Sequence, residues 1–358
     1  MYSRPSESVT IDPRPDTMER KSVRVGLAKG CRKAETMTGT VVGQLNERLP
    51  QRMRTIIIKF VARIGQLVMP LAVSALVVGC ASVEDADRSA SVPPTIVVTH
   101  SVLGSLVAEI VGAQADVDVF IPNGVDPHEW EPSAKDVEAM NGALLVVANG
   151  LGLEEGLEGV LSRAESPVFF AGAHVEVLES GDQHDTEHQH DVDDPHFWTD
   201  PITMIDVVEA LRDELAGLGI DVTASAATVI GDLESLDADV ASLLSEIPDT
   251  KRVLVTGHVS MTYFAARYGF EALGSIVPSL STAAEASAAN LAGLKRVIAD
   301  EEVSVIFSEV GSPDDVVMAL AAEAGVRVAI LDTLTVPGGT YRSYLWALAS
   351  QVRDALTA

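Results

Sequence analysis

Eight histidines occur in the 358 residues, and three stand where a metal could be held. His128 lies in Pro122-Asn123-Gly124-Val125-Asp126-Pro127-His128-Glu129-Trp130-Glu131-Pro132, directly after a β-branched run at 117–121. His196 lies in Asp193-Asp194-Pro195-His196-Phe197-Trp198-Thr199-Asp200-Pro201, and His258 closes Thr256-Gly257-His258 after the run at 253–256. The tripeptide Asp-Pro-His thus appears in two separate loops. A fourth candidate, Asp332, follows the run at 326–331. Three imidazoles and one carboxylate would make a four-coordinate set suited to Zn²⁺, with bonds of about 2.0–2.2 Å. For His258 and Asp332, a post-strand position fits a ligand and an ordinary polar residue equally well. Glu309, after the run at 303–307, could orient an imidazole N–H as metal-bound histidines require, or could be a surface carboxylate. His184, His188 and His190 fall in one acidic stretch, which reads either as an auxiliary metal-collecting loop or as a solvated segment with incidental histidines. His100 and His174 have no such context and read as structural.

Positioning these residues requires strands that end at a common edge. Short β-branched runs at 95–99, 117–121, 143–148, 168–170, 253–256, 303–307 and 326–331 alternate with helical patterns at 101–111, 134–140, 283–299 and 313–324. Continuous apolar strands alternating with helices imply an α/β architecture of parallel sheets covered on both faces. Such sheets present ligands at the carboxyl ends of their strands, where His128, His258 and Asp332 would stand. Residues 222–247 break the alternation. Ile230, Leu233, Leu236, Val240, Leu243 and Ile247 recur at helical spacing, and Pro248 ends the pattern. The expected organisation is an N-terminal α/β lobe (95–221), a linking helix (222–247) and a C-terminal α/β lobe (248–358).

Charge is divided unevenly. Residues 1–79 carry 13 Lys/Arg against 6 Asp/Glu, and the remainder 12 against 46, for a net charge of −27. So acidic a body excludes a nucleic-acid partner, whose phosphates need neutralising cations. Two cysteines, Cys31 and Cys80, exclude a disulfide framework and a multi-thiolate site. Arg54, Lys59 and Arg63 precede an uninterrupted apolar stretch from Leu67, the arrangement of a secretory signal, expected over 53–79. Residues 80–94 are acidic and Pro-containing and read as a flexible tether. Residues 1–52 fit no part of that scheme and are expected to be an over-extended start or a disordered extension.

Two sets of segments carry family resemblances. Val77-Val78-Gly79-Cys80 resembles the lipobox of bacterial lipoproteins, which implies lipid attachment at Cys80 and anchoring at the membrane, in the periplasm or on the outer cell face. The His128 and His196 segments, Asn149-Gly150-Leu151-Gly152-Leu153-Glu154, and His258 upstream of Tyr263-Phe264-Ala265-Ala266-Arg267-Tyr268-Gly269 resemble the zinc/manganese solute-binding lipoproteins of ABC transporters, in order from about Thr95 to the C-terminus. That resemblance implies two lobes, each a parallel sheet flanked by helices, joined by one long helix. It also implies metal ligands His128, His196, His258 and Asp332, closed around Zn²⁺ as transported cargo. Manganese-type members resemble a Glu at the third position, so His258 tilts the expectation from Mn²⁺ to Zn²⁺, in keeping with imidazole donors. The implied protein is a monomeric receptor, not an enzyme, delivering metal to an ABC permease and its ATPase. A Mn²⁺ receptor and a metal-stabilised surface adhesin are the alternatives. A zinc hydrolase is disfavoured, since no His-Glu-x-x-His or Gly-x-Ser-x-Gly occurs. Protonation of the three imidazoles would weaken binding as pH falls through about 6.5.

Overall fold

A computed structural model describes residues 92–178 and 193–358. Cys80 and the leader, and the stretch holding His184, His188 and His190, lie outside the described residues.

The first half is built on β1 (Thr95–His100), whose last five residues are all buried. It pairs in parallel with β2 (Asp116–Ile121) on one side and with β3 (Leu145–Ala148) on the other. β4 (Val168–Phe170) adds beyond β3, giving the order β2-β1-β3-β4. Burial on both faces is why β1 and β3 read as unbroken apolar runs instead of alternating ones. The crossovers include α1 (Ser101–Val111), α2 (Ala134–Asn141) and the single turn α3 (Glu158–Leu161). A capping box starts α2: Ser133 accepts the Asp136 N–H, and the Asp136 carboxylate accepts the Ser133 N–H.

Two helices follow, α4 (Thr203–Gly217) and α5 (Thr223–Leu244). The second half contains β5 (Val253–Thr256), α6 (Thr262–Tyr268), β6 (Glu271–Ser275), α7 (Ala288–Asp300), β7 (Val305–Ser308), α8 (Asp314–Ala324), β8 (Arg327–Ile330) and α9 (Tyr341–Thr357). β5 pairs in parallel with β6 and β7 with β8, and β5 lies beside β7.

Beyond shifts of a residue or two at strand ends, three details differ from the sequence pattern. β6 was not expected, because Glu-Ala-Leu-Gly-Ser has no β-branched residue and alternates poorly. Helix α7 begins five residues later than its apolar pattern, since the Ser287 hydroxyl accepts the Asn290 N–H and fixes the start there. Helix α5 stops at Leu244, short of Pro248, although Ile247 stays buried.

The face that α5 buries runs Ala226, Val229, Leu233, Leu236, Val240, Leu243, steps of three and four residues. That face packs on α1, α4 and α9, helices drawn from both halves. One continuous buried cluster accordingly extends from Ile96 in β1 through Leu236 and Val240 to Phe307 in β7 and Leu356 in α9. The helix between the halves is a shared wall of one core.

Candidate metal centre

His128 leaves the carboxyl end of β2 in a loop whose geometry is set by Asp126, whose Oδ1 accepts the His128 N–H at 2.9 Å. His196 stands in the loop before α4. Asp194 Oδ1 accepts both its N–H, at 2.9 Å, and its ring Nδ1–H, at 2.7 Å. The Asn149 amide, from the loop after β3, donates to the Pro195 carbonyl at 3.0 Å and fixes this loop from behind. Glu154 in turn accepts the N–H groups of Asn149 and Gly150 and the Thr99 hydroxyl. His258 follows β5. Its ring Nδ1–H donates to Glu309 Oε2 at 2.8 Å, and Glu309 also accepts from the Ser260 hydroxyl.

These contacts aim three imidazole Nε2 atoms at one point. His128 and His196 stand 3.4 Å apart, Nε2 to Nε2, and His196 and His258 stand 3.3 Å apart. One ligand atom from each of the three residues lies within 4.8 Å of the others, and all three side chains are buried. A carboxylate can only accept, so Asp194 and Glu309 hold the ring protons on Nδ1. In the neutral tautomers the Nε2 lone pairs of His196 and His258 therefore face inward. Nitrogens around a tetrahedral ion with bonds of about 2.0 Å lie about 3.3 Å apart. The observed spacing is that of ligands sharing one cation.

Asp332 does not join them. Its Oδ1 accepts the N–H groups of Leu334 and Thr335, at 3.3 and 2.9 Å, capping the turn after β8. Its neighbours Thr333 and Leu334 line the cleft, but the carboxylate does not. The clustered ligand atoms among the described residues are thus those of the three imidazoles. An aspartate that starts a short turn finds backbone donors two and three residues on, and Oδ1 takes them here. Glu309 is placed on His258. His100 is buried against Trp198, with Nε2 3.3 Å from Asn149 Oδ1, and His174 stacks on Phe169; both lie outside the cluster.

The surroundings of His128 and His258 displace them in opposite directions from the ordinary 6.5. Burial, with the nearby His196 and His258 rings, pulls His128 down to about 3. Burial acts on His258 in the same sense, but the Glu309 charge and hydrogen bond outweigh it and hold His258 above its ordinary value. Protonated, His258 can donate from Nε2 to His196, so proton and metal compete for one place. The cleft encloses about 10 Å³, roughly the room of a single water. That room suits a single ion.

With this geometry established, comparison with known proteins becomes specific. The family described as zinc-uptake complex component A, periplasmic, matches residues 96–357. The chain belongs to that family. It is 33% identical over 242 residues to the zinc-binding protein TroA of Treponema pallidum, covering 65% of this chain and 76% of that one. It is 25% identical over 265 residues to the manganese-binding lipoprotein MntA of Halalkalibacterium halodurans, covering 72% and 85%. It is 29% identical over 270 residues to the zinc-binding lipoprotein AdcA of Streptococcus pneumoniae, spanning 72% of this chain but only 52% of that longer protein. The solved structure of Treponema pallidum TroA superposes with a TM-score of 0.64 at 28% identity, covering 74% of this chain and 99% of that one. The family members are metal-binding components of uptake systems, so the chain is a binding protein and not an enzyme. The bilobed metal-receptor fold agrees with the parallel sheets and linking helix described above. No helix among the described residues is long and apolar enough to cross a membrane.

Sequence reasoning identified the three histidines and named Glu309 as a group that could orient one, but overlooked Asp126 and Asp194. The signal was there: an aspartate stands two residues before the histidine in both Asp-Pro-His loops.

Proposed function

We propose that the chain is the extracytoplasmic receptor of an ABC importer, with Zn²⁺ as cargo held by His128, His196 and His258. The supporting observation is the pair of Nε2 separations, 3.4 and 3.3 Å, among buried imidazoles. An all-imidazole set favours Zn²⁺ over Mn²⁺, which is better served by carboxylate oxygen. Relatives named for zinc, TroA and AdcA, point the same way. Mn²⁺ is the second reading, favoured by the relative named for manganese. Asp332 acts in this reading as a turn cap beside the site. Lipid on Cys80 would hold the receptor at the membrane, where a permease and its ATPase would receive the ion. The His184, His188 and His190 stretch, by its composition, would supply weak collecting sites.

Metal analysis and competitive titration of the parent and His258→Ala test this. The expected result is one tightly held Zn²⁺ per chain, a much weaker Mn²⁺ complex, and loss of tight binding in the variant with the fold retained. Parent protein without tight transition-metal binding overturns the receptor reading, and a preference for Mn²⁺ replaces zinc with manganese as cargo.

A further inference from the structure

The two Asp-Pro-His loops begin alike and then diverge. In each, Oδ1 of the aspartate accepts the histidine N–H at 2.9 Å. In the second, the same oxygen also takes the ring Nδ1–H of His196. In the first, the ring Nδ1 of His128 finds no partner among the described residues, and Asp126 turns its Oδ2 elsewhere. It accepts the hydroxyl of Thr282 at 2.7 Å, a buried bond between residues 156 apart. Gly311 makes the approach possible. A Cβ there would stand 2.1 Å from Asp126 Oδ2 and 2.9 Å from Thr282 Cγ2, and its φ of +82° is one that L side chains rarely adopt.

The bond spans the cleft. Asp126 and His128 belong to the half built on β1, whereas Thr282 and Gly311 belong to the half that carries His258. Of the three imidazoles, His128 is the one without a carboxylate on its ring, so its place depends on its backbone. That backbone is held by Asp126, and Asp126 is held by Thr282.

We propose that Thr282 is a positioning residue that sets how fast the metal leaves, a reading that rests on the receptor function above. His128 withdraws first, and it can do so only when the Asp126–Thr282 bond opens. Binding from the open form makes this bond after the ion has arrived, so the bond governs dissociation and leaves association unchanged.

The test uses the full-length protein loaded with Zn²⁺ alone and mixed rapidly with excess chelator, with association measured separately. Thr282→Val keeps the side-chain shape, removes the hydroxyl and leaves Asp126 Oδ2 without its donor. Release is expected to be about tenfold faster or more, with one Zn²⁺ per chain and an unchanged association rate, and Thr282→Ser is expected to restore the parental rate. Should Val not be tolerated by the fold, the same contrast is read between Thr282→Ala and Thr282→Ser. Equal release from the parent and the hydroxyl-free variant overturns the proposal, as does a serine variant no slower than it. A parent that holds no Zn²⁺ instead removes the receptor function on which the proposal rests.

Discussion

Glu309 and His258 form a buried pair whose two members are displaced in opposite directions. Burial alone would raise Glu309, but the adjacent imidazole and its hydrogen bonds hold it below its ordinary 4.5. His258 is held above its ordinary 6.5. Through His258, stability is fully present below about 6.5 and is lost as pH rises through its raised folded value. Through Glu309 it is present above about 4.5 and is lost as pH falls through its lowered value. The pair therefore favours the metal-free fold most between those limits. Metal must displace the His258 proton, so Zn²⁺ affinity is expected to climb with pH throughout the range below the raised value and to level above it. Glu309→Gln removes the charge that raises His258. Its climb should come at lower pH, and it should release fewer protons at pH 7. Calorimetry in two buffers of different ionisation heat measures that release, and equal proton counts in parent and variant would refute the account. At this scale the histidines were legible because the repeated Asp-Pro-His loops and the Thr-Gly-His after a strand set them apart from the other five. Asp332 matched a ligand's position, while the backbone donors that its Oδ1 accepts lay close by in the turn and could not be weighed from spacing. Thr282 gave no local signal at all, since its partner lies 156 residues away.

The elements were legible where one interaction dominates. β1, β3, β5 and β7 are covered on both faces, and their unbroken apolar runs declared them. β6 stays hidden because backbone pairing to β5 holds it rather than its side chains. Helix α5 was visible as a stripe of three- and four-residue steps, but its role as a shared wall depends on which helices pack there. Leu236, 1% exposed within the stripe, tests that role. Leu236→Ala removes packing from the cluster common to both halves and should cost about 2–5 kcal/mol of stability. Denaturant unfolding should show the loss as a single transition with the midpoint lowered. Two separated transitions would mean that the halves fold independently and that α5 is only a tether. The ion pairs that α9 makes along this edge, Arg342 with Asp239 on α5 and Arg353 with Glu246 just beyond it, lie at the surface and contribute little by comparison.

For the whole molecule, the continuous core limits what the metal can be doing. A structural zinc supplies folding energy to a domain too small to bury enough apolar surface. Here the apolar cluster reaches from Ile96 to Leu356 and passes beneath the site without requiring it. The halves are joined through that cluster and by bonds at the cleft: Ser101 to the Leu334 carbonyl, the Trp198 indole to the Thr333 carbonyl, and the Val336 N–H to Asn123. Wide hinge opening would tear a shared core, so the motion that frees the ion should be local to the loops carrying His128 and residues 332–335. Removing metal with a strong chelator is therefore expected to leave far-ultraviolet circular dichroism and the cooperative melt intact. Returning Zn²⁺ should raise the melting temperature only by mass action, about 2.7 kcal/mol at a free concentration one hundred times Kd. The complementary measurement is amide hydrogen exchange. Protection should rise on metal addition in the two loops and stay nearly constant in α5 and β1. Collapse of the fold on chelation would instead mark the ion as a structural element and favour the metal-stabilised surface protein. A fold that persists when empty is what a receptor needs, because it must give up its cargo and be ready for the next ion.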